Sequence, residues 1–428
     1  MMLHEIHKYF LASSGVETDT RKIKDNCFFV ALKGKNFDGN LFAKEAIQKG
    51  AIFALVDDPV IARENNKMIC VEDTLKTLQE LSRFHRKSLK AKIIALTGSN
   101  GKTTTKEILK SVLLQEYKTQ ATEGNLNNHI GVPLTLLSFG TDTEIGIVEM
   151  GANHGGEIKE LCEIALPDYG LITNFGKAHL EGFGSLEGVI KAKIELYEYL
   201  VNNEGELFIN EDDPIQKEWK TKSKNHSFGE DLNATYVIEY LTKSGNPLKI
   251  KFQNKIINSK LNGFYNFTNI GAAIAIGKYF KVSNESINLG IYVYSPSNNR
   301  SETITQGTNR ITLDAYNANP TSMEVSIKAF ALNKNKSSVM ILGDMFELGA
   351  YTDEEHQKTV ILLEETNLEK ILIVGEAFFK TSSNDSRIQK FKTLNDIKYY
   401  LKKKSLKNKN ILLKGSRGMA LEKLLELL

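Results

Sequence analysis

A glycine-rich loop between an apolar segment and a helical pattern is the part of this sequence best suited to chemistry. The apolar segment is Lys92–Thr97, and the helical pattern places Ile108, Leu109, Val112 and Leu113 on one face. Glycines let backbone N–H groups approach phosphate oxygens, and the start of a helix adds partial positive charge. The loop therefore predicts a nucleotide site formed by Gly98, Ser99, Asn100, Gly101, Lys102, Thr103 and Thr104.

Two side chains of this loop have specific expected roles. Lys102 would reach the terminal phosphates, and the Thr103 hydroxyl would ligate Mg²⁺. The loop departs from the common GxxxxGK[ST] form, because Leu96 stands where the first glycine would be. This shorter loop argues against a GTPase or a motor protein. The alternative is a glycine-rich turn that contains a lysine by chance.

Composition excludes several broad classes. Among 428 residues, 55 are Lys or Arg and 52 are Asp or Glu, and the net charge of +3 does not indicate a nucleic-acid partner. The most basic segment, residues 399–409, is interpreted as a solvated helix face and a loop, with a nucleic-acid patch as the alternative. The three cysteines lack metal-site or disulfide spacing, which favours a reducing, cytoplasmic setting. The first ten residues lack the apolar stretch of a signal peptide, so none is predicted. No apolar run is long enough to predict membrane insertion.

Alternation of apolar segments and helical patterns predicts an α/β protein of three domains. At about 150 residues per domain, the length agrees with this number. The predicted domains cover residues 1–90, 91–298 and 299–428, and a Ser/Pro/Asn-rich linker at 295–299 separates the last two. The central domain is expected to have a largely parallel sheet, and the C-terminal domain is expected to be doubly wound. Predicted strands are 27–32, 51–56, Lys92–Thr97, 144–150, 169–173, Glu206–Asn210, 311–314, 338–342, Lys370–Val374 and Asn410–Lys414.

The loop carries a family resemblance. Thr97 to Thr104 resembles the ATP loop shared by the Mur ligase family and the folylpolyglutamate synthases. The resemblance implies an enzyme that joins a carboxylate to an amine. ATP would first phosphorylate the carboxylate, because a free carboxylate is a poor electrophile, and the amine would then displace phosphate. Cations around the transferred phosphoryl group would stabilise its charge.

The resemblance also implies two Mg²⁺ sites. Glu149 follows an apolar segment and resembles the Mg²⁺-ligating glutamate of the family, which would share one ion with Thr103. His179, in Asn174-Phe175-Gly176-Lys177-Ala178-His179, resembles the second ligand, although a lone histidine is often structural. Lys193 resembles the family's carbamylated lysine, which would hold the second ion with Glu149 and His179. Lys191 is the competing candidate for this role. The other alternative is that Lys193 is an ordinary lysine on the helix surface.

Further segments resemble the nucleotide contacts of the family. Residues 263–269 are similar to its GxHNxxN segment and imply nucleotide contacts from Asn266 and Asn269. Tyr265 replaces the usual histidine, so no histidine role is transferred. This segment is expected to precede an Ala-rich helix over 272–280. Arg300 resembles the arginine that reaches ATP from the third domain, with a surface arginine as the alternative.

Ordered matches in the second and third predicted domains indicate one branch of the family, which adds D-alanyl-D-alanine to a UDP-muramoyl tripeptide. The asparagine-rich segment 125–133 would lie beside the growing peptide, and the segments 314–320, 342–349 and 414–417 would lie at the dipeptide end. Thr321 follows Pro320 where relatives that add diaminopimelate or lysine carry arginine. The implied substrate contacts are Asn125, Asn127, Asn128, Asn317, Asn319, Asp344, Phe346, Glu347 and Arg417.

The first domain resembles the part of the family that holds the UDP-sugar. Asp19-Thr20-Arg21 is similar to its D-[ST]-R turn, and residues 28–34 are similar to FVALxG. Residues 37–40 resemble its DGH segment, with Asn40 in place of histidine. The implied contacts are Thr20, Arg21, Gly34 and Asp38.

A monomer is expected. Another ligase of the superfamily and a non-catalytic nucleotide-binding homologue are the alternatives.

Overall fold

Three sheets organise the computed structural model, which describes residues 2–242, 247–296, 299–332 and 337–428. Residues 297–298 of the predicted linker, and with them the predicted boundary at 298, lie outside the described residues. The boundary after residue 90 stays a prediction. Within the described residues, no helix combines the length and the apolar composition needed to cross a bilayer.

The N-terminal sheet is small and parallel. In spatial order its strands are Val16–Glu17, Phe28–Val30, Phe53–Val56 and Met68–Cys70, and a short hairpin pairs Lys33–Gly34 with Phe37–Asp38. Its helices are Leu3–Leu11, Ala43–Gln48, Pro59–Ala62 and Thr74–Ser88, with 3-10 turns at Thr20–Lys22 and Gly39–Phe42. The Asp73 side chain caps the last of these helices, and that helix packs against the central domain.

The central sheet carries the phosphate loop near its middle. Its spatial strand order is Thr119–Ala121, Ile145–Glu149, Lys92–Thr97, Tyr169–Ile172, Glu206–Asn210, Asn225–Gly229, Tyr236–Tyr240, Lys249–Phe252 and Lys255–Asn258. The strands are parallel as far as Tyr236–Tyr240, and the last two add in antiparallel fashion. The predicted parallel sheet is therefore confirmed. The antiparallel edge is an addition to the prediction.

Helices cover both faces of the central sheet and bury its apolar side chains. They are Lys102–Leu113, Gly131–Leu137, Glu157–Ala165, Leu180–Phe183, Leu186–Asn202, Pro214–Lys217, Tyr265–Tyr279 and Asn284–Val293. The apolar face predicted for the first of these is fully buried. The Ala-rich helix differs from the prediction, because it starts at Tyr265 rather than at residue 272. Phe267 and Ile270 join the same core, so the asparagines of this segment lie inside the first two turns.

The C-terminal sheet is parallel except at one edge, in agreement with the predicted doubly wound domain. Its spatial strand order is Glu302–Gln306, Asn309–Asp314, Asn410–Lys414, Ser338–Gly343, Lys370–Val374 and Ile388–Phe391, and the first pair is antiparallel. Its helices are Pro320–Ala331, Thr352–Glu364, Glu376–Lys380 and Leu394–Lys403, with 3-10 turns at Gly349–Tyr351, Arg417–Met419 and Leu421–Leu427. The basic segment 399–409 forms the end of a helix and a loop, with Tyr399 exposed.

Candidate active site

The phosphate loop needs glycine for its own path. It leaves the strand Lys92–Thr97 with Gly98 at φ +143° and Gly101 at φ +79°, conformations that residues with side chains rarely adopt. A Cβ atom at Gly98 would lie 2.0 Å from the Thr173 hydroxyl, and one at Gly101 would lie 2.6 Å from the Asn269 side chain. Substitution of either glycine would therefore displace the loop.

The end of the neighbouring strand holds the loop in place. The Asn100 backbone N–H donates to Asn174 Oδ1 at 3.0 Å, and Asn174 Nδ2 donates back to the Asn100 carbonyl at 2.9 Å. The Thr173 hydroxyl donates to the same carbonyl at 2.6 Å. Asn174 was not among the site residues predicted from the sequence. Its signal was a Thr-Asn pair directly after a buried strand, where ligand crevices of parallel sheets lie.

A buried carboxylate lies beside the loop. Glu149 ends the strand Ile145–Glu149 and is 2% exposed. The Thr103 hydroxyl donates to Glu149 Oε2 at 3.0 Å, and Asn127 Nδ2 donates to Glu149 Oε1 at 2.8 Å. Neutral donors thus hydrogen-bond to both oxygens of the Glu149 carboxylate. The Thr103 hydroxyl and this carboxylate lie next to each other.

Two cations approach the same place from different domains. Lys102 Nζ donates to the Gly98 carbonyl at 2.7 Å. Burial lowers the pKa of Lys102, the Glu149 charge opposes this shift, and the nearby Arg300 charge adds to it. The Arg300 guanidinium lies 3.7 Å from the centre of the Tyr316 ring, a cation–π contact that holds it at the cavity. This position favours the predicted site role of Arg300 over a surface role.

Burial distinguishes the two candidate lysines of the helix Leu186–Asn202. Lys193 is 2% exposed, whereas Lys191 is exposed to solvent. The Lys193 ammonium lies 5.1 Å from the centre of the Phe183 ring. Burial, with a smaller contribution from Lys102, lowers the pKa of Lys193 to about 7. A large fraction of this amine is therefore uncharged near neutral pH.

His179 lies where the central and C-terminal domains meet. Its Nδ1 atom is 2.5 Å from Glu347 Oε2, a close polar contact without the alignment of a hydrogen bond. Interaction with His179 lowers the pKa of Glu347. A second contact joins the same domains, because Asn319 Nδ2 donates to Asn100 Oδ1 in the phosphate loop at 2.8 Å. The third domain thus touches both the ATP loop and the predicted metal ligand.

The two predicted nucleotide asparagines form a buried ladder behind the loop. Asn269 Nδ2 donates to Asn266 Oδ1 at 2.9 Å, and the Thr105 hydroxyl donates to Asn269 Oδ1 at 3.0 Å. Tyr265, which replaces the histidine of the family, lies 3.0 Å from the Ser301 hydroxyl. This tyrosine therefore links the central domain to the start of the third.

A cavity of about 630 Å³ lies among these groups, and Gly98 and Lys193 lie outside its lining. The predicted site residues that line it are Ser99, Asn100, Gly101, Lys102, Thr103, Thr104, Asn125, Asn127, Asn128, Glu149, His179, Asn266, Asn269, Arg300, Asn317 and Asn319. Lining residues that the sequence analysis did not select include Asn153, Glu157, Asn174, Asp314, Tyr316 and Lys414. Asp314 and Lys414 form a buried ion pair at 2.5 Å, and each ends a strand of the third sheet.

The predicted UDP-sugar residues lie in the first domain, outside the lining of this cavity. Arg21 is 87% exposed and pairs with Asp19 at 2.8 Å. Asp38 accepts hydrogen bonds from the backbone and the side chain of Asn40 at 2.9 and 2.8 Å. Thr20 precedes Arg21 in a 3-10 turn, and Gly34 packs against the ring of Phe37 in the hairpin.

The predicted dipeptide residues of segment 342–349 lie beyond the cavity lining. The Asp344 carboxylate accepts from the backbone N–H groups of Ala377 and Phe378, both at 2.9 Å, so it caps a neighbouring helix. Phe346 is 44% exposed. Arg417 lies 3.5 Å from Glu422.

Family models match each part of the chain. The model of the Mur ligase family catalytic domain matches residues 13–86, the Mur ligase middle domain matches residues 96–277, and the Mur ligase glutamate ligase domain matches residues 299–417. A phosphate loop, a buried carboxylate and cations from two domains around one cavity fit the class of ATP-dependent peptide ligases. The chain belongs to the Mur ligase family.

Individual relatives resemble the whole chain. It is 34% identical to the UDP-N-acetylmuramoyl-tripeptide–D-alanyl-D-alanine ligase of Bacillus subtilis strain 168, over 96% of this chain and 92% of that protein. Crystal structure I of MurF from Acinetobacter baumannii matches with a TM-score of 0.87 and 29% identity, over 99% and 98% of the two chains. MurF ligase from Thermotoga maritima in complex with ADP matches with a TM-score of 0.84 and 26% identity, over 98% and 97%. The three-domain fold and the use of ATP agree with the expectations from the sequence.

Proposed function

We propose that this chain joins D-alanyl-D-alanine to UDP-N-acetylmuramoyl-tripeptide and releases ADP and phosphate. The printed names of its full-length relatives support this substrate pair. The observation that carries the proposal is the shared cavity, in which Lys102 and Glu149 of the central domain face Arg300 and Asn319 of the third. Such a cavity can hold ATP and an acceptor carboxylate at the junction of the domains.

The chemistry needs two balanced steps. A carboxylate oxygen of the tripeptide attacks the terminal phosphorus of ATP, the bond to ADP breaks, and an acyl phosphate forms. The dipeptide amine then attacks the acyl carbon, phosphate leaves with the C–O bond electrons, and the amine loses a proton. Lys102 and Arg300 would neutralise the oxygens of the transferred group, and domain contact would exclude water from the acyl phosphate.

The side chains at the cavity wall fit Mg²⁺. Thr103 and Glu149 offer hard oxygen ligands, and His179 lines the same cavity. Among the described residues, no group of three or more His, Cys, Asp or Glu side chains forms a metal site. We assign one ion to Thr103 and Glu149, and a second to Glu149, His179 and carbamylated Lys193. When bound, Mg²⁺ would neutralise charge on the transferred phosphoryl group.

The surroundings of Lys193 support its carbamylation. Only an uncharged amine reacts with carbon dioxide, and burial lowers the pKa of Lys193 to about 7. The product carbamate is negatively charged, and the neighbouring Lys102 charge would stabilise it. Lys191 is exposed and lacks this environment.

The remaining assignments extend the site in two directions. Thr20, Arg21, Gly34 and Asp38 would hold the UDP-sugar, and Asn125, Asn127 and Asn128 would lie beside the peptide. Asn317, Asn319, Asp344, Phe346, Glu347 and Arg417 would lie toward the dipeptide. Asp344 already accepts two backbone hydrogen bonds, so its contribution there would be to shape the segment. A monomer and a cytoplasmic location belong to the same proposal.

Phosphate release tests this function directly. The enzyme is assayed with ATP, Mg²⁺ and UDP-muramoyl tripeptide, with and without D-alanyl-D-alanine, and in parallel with UDP-muramoyl dipeptide plus free lysine or diaminopimelate. Release that depends on both the tripeptide and D-alanyl-D-alanine is expected. Release only with a single amino acid would assign another ligase activity, and ATP binding without release would favour a non-catalytic homologue.

A further inference from the structure

The segment that carries His179 is anchored from outside its own domain. Residues 177–184 link a strand of the central sheet to the helix Leu186–Asn202. His179 itself has φ +52°, a left-handed conformation that is uncommon for a residue with a side chain. Such a conformation persists when surrounding contacts determine it. The contacts around this loop therefore determine the backbone conformation at His179.

Among the described residues, polar groups of four residues in the third domain contact this loop. Lys177 Nζ lies 2.7 Å from Glu355 Oε1, and the Lys177 backbone N–H donates to the Thr321 hydroxyl at 2.9 Å. The Tyr351 hydroxyl donates to the Gly184 carbonyl at 3.1 Å. The fourth residue is Glu347. The third domain thus contacts the loop at its start, its middle and its end.

Glu347 makes the contact that reaches the functional ring. Its Oε2 atom lies 2.5 Å from His179 Nδ1, and its backbone carbonyl accepts from the Glu181 N–H at 3.1 Å. Glu347 also has a left-handed backbone, with φ +62°. The segment is thus turned so that both its carbonyl and its carboxylate face the loop. Because the carboxylate lies beside Nδ1, Nε2 is the ring nitrogen open to a ligand.

We propose that Glu347 is a positioning residue, which orients the His179 ring through Nδ1 and makes the metal site complete only when the third domain is docked. The inference rests on the proposed metal role of His179. Carboxylates that contact a ligating histidine fix its ring and its protonated nitrogen. Here that carboxylate belongs to a different domain, so docking of the domain and orientation of the ligand become one event.

This role differs from the dipeptide contact predicted for Glu347 from the sequence. A carboxylate that bound the dipeptide would affect the KM for D-alanyl-D-alanine. A carboxylate that orients His179 affects turnover and metal affinity, and it leaves that KM unchanged. The two roles therefore separate in one set of measurements.

The test uses the full-length protein with Glu347→Gln, which keeps the shape and removes the charge. Glu347→Asp serves as the conservative variant, and Glu376→Gln, at an exposed acid of the same domain, is the matched control. Mn²⁺ serves as the metal probe, and its binding in the presence of ADP is followed by electron paramagnetic resonance. Hydrogen exchange of segment 177–184 and steady-state kinetics complete the set.

We expect Glu347→Gln to weaken the affinity of one Mn²⁺ ion by about tenfold or more and to lower kcat by a similar factor. The KM for D-alanyl-D-alanine should stay within about twofold, exchange of segment 177–184 should increase, and Glu347→Asp should recover part of each loss. The control should match the wild type. Unchanged Mn²⁺ binding, or a raised KM for the dipeptide with normal kcat, would overturn the inference.

Failure of the proposed function would look different. If the wild type released no phosphate from its proposed substrates but Glu347→Gln still weakened Mn²⁺ binding, the substrate assignment would fail while the positioning role held. If a melting curve showed that Glu347→Gln lowers the Tm, Mn²⁺ binding and exchange are measured at a temperature at which both proteins are folded. Unchanged Mn²⁺ affinity of Glu347→Gln under those conditions would still exclude the positioning role.

Discussion

The phosphate loop and the Asp19–Arg21 turn both carry cations that we assign to phosphates, but they are built in opposite ways. Lys102 is half-buried at the cavity wall, and the loop around it is fixed by hydrogen bonds with Asn174. Arg21 is 87% exposed, and Asp19 is its partner. Hydrogen bonds from Arg21 lower the pKa of Asp19 to about 2.

The difference in burial between the two regions indicates that one stabilises the reacting group and the other binds the substrate. Charge that stabilises a reacting group is most effective when it is fixed in advance in a place with little water. A group that captures a soluble substrate can stay solvated and pair with a neighbour until the substrate arrives. Substitutions in the first region should therefore change turnover, and substitutions in the second should change substrate affinity.

The sharpest test of the comparison is Lys102→Ala. We expect kcat to fall about 10³-fold, because a fixed cation at the transferred phosphoryl group is lost. Phosphate release at saturating substrates measures this, and Lys87→Ala, at an exposed lysine, is the control. A loss of less than about tenfold would remove Lys102 from the chemistry.

The next largest effect should come from Lys193→Ala, with Lys191→Ala on the same helix as the matched control. We expect about a 10²-fold loss of kcat for the first, since a metal-binding group is removed, and little change for the second. Added formate or acetate should restore part of the activity by replacing the carbamate. Equal effects at the two positions would contradict the assignment.

The wild-type pH profile tests the same lysine. The pKa of Lys193 is lowered to about 7 in the fold, so below pH 7 the amine is protonated and cannot react with carbon dioxide. Activity should therefore fall as the pH drops through about 7. Added bicarbonate should raise activity near pH 7.5. A profile that is flat between pH 6 and 8, with or without bicarbonate, would exclude a titrating Lys193.

A smaller effect, on affinity alone, is expected in the first domain. Arg21→Ala should raise the KM for the UDP-linked substrate about tenfold and leave kcat unchanged, because a charged phosphate contact is lost. Arg63→Ala, at another exposed arginine of this domain, is the control. A fall in kcat at saturating substrate would break the proposed separation between the two regions.

The smallest effect should be on stability at the exposed turn. Asp19→Asn removes the partner of Arg21, and exposed ion pairs contribute little to folding. The Tm should change by less than about 2 °C. Calorimetry measures it, and a larger drop would mean that the turn is fixed by its own pairing before substrate binds.

Much of the central domain could be predicted, because its signals are local. The strand Lys92–Thr97 is apolar and β-branched, and its bounds agree with the prediction. Edges were harder. The strands Tyr236–Tyr240 and Lys249–Phe252 alternate buried and exposed residues over only 5 and 4 residues, a pattern too short to be distinguished from a loop by sequence alone. The start of the helix at Tyr265 was missed because polar asparagines interrupt its apolar pattern.

The site shows the same division between local and distant information. Gly98, Lys102, Glu149 and His179 could be selected because they follow strands or form a loop pattern. Asn174 was not selected, because its function is to bind the backbone of a loop 74 residues earlier. Contacts of this kind depend on which strands are neighbours, which a single sequence does not state.

The sequence by itself determined the phosphate loop, the alternation of strands and helices, and the family, because these are recorded in adjacent residues. Only the tertiary structure shows that Lys193 is buried whereas Lys191 is exposed, since burial depends on packing against other elements. It also decided that Asn319 meets Asn100 across 219 residues and that Glu347 meets His179. These pairs join two domains, and their distances follow from how separately folded sheets dock.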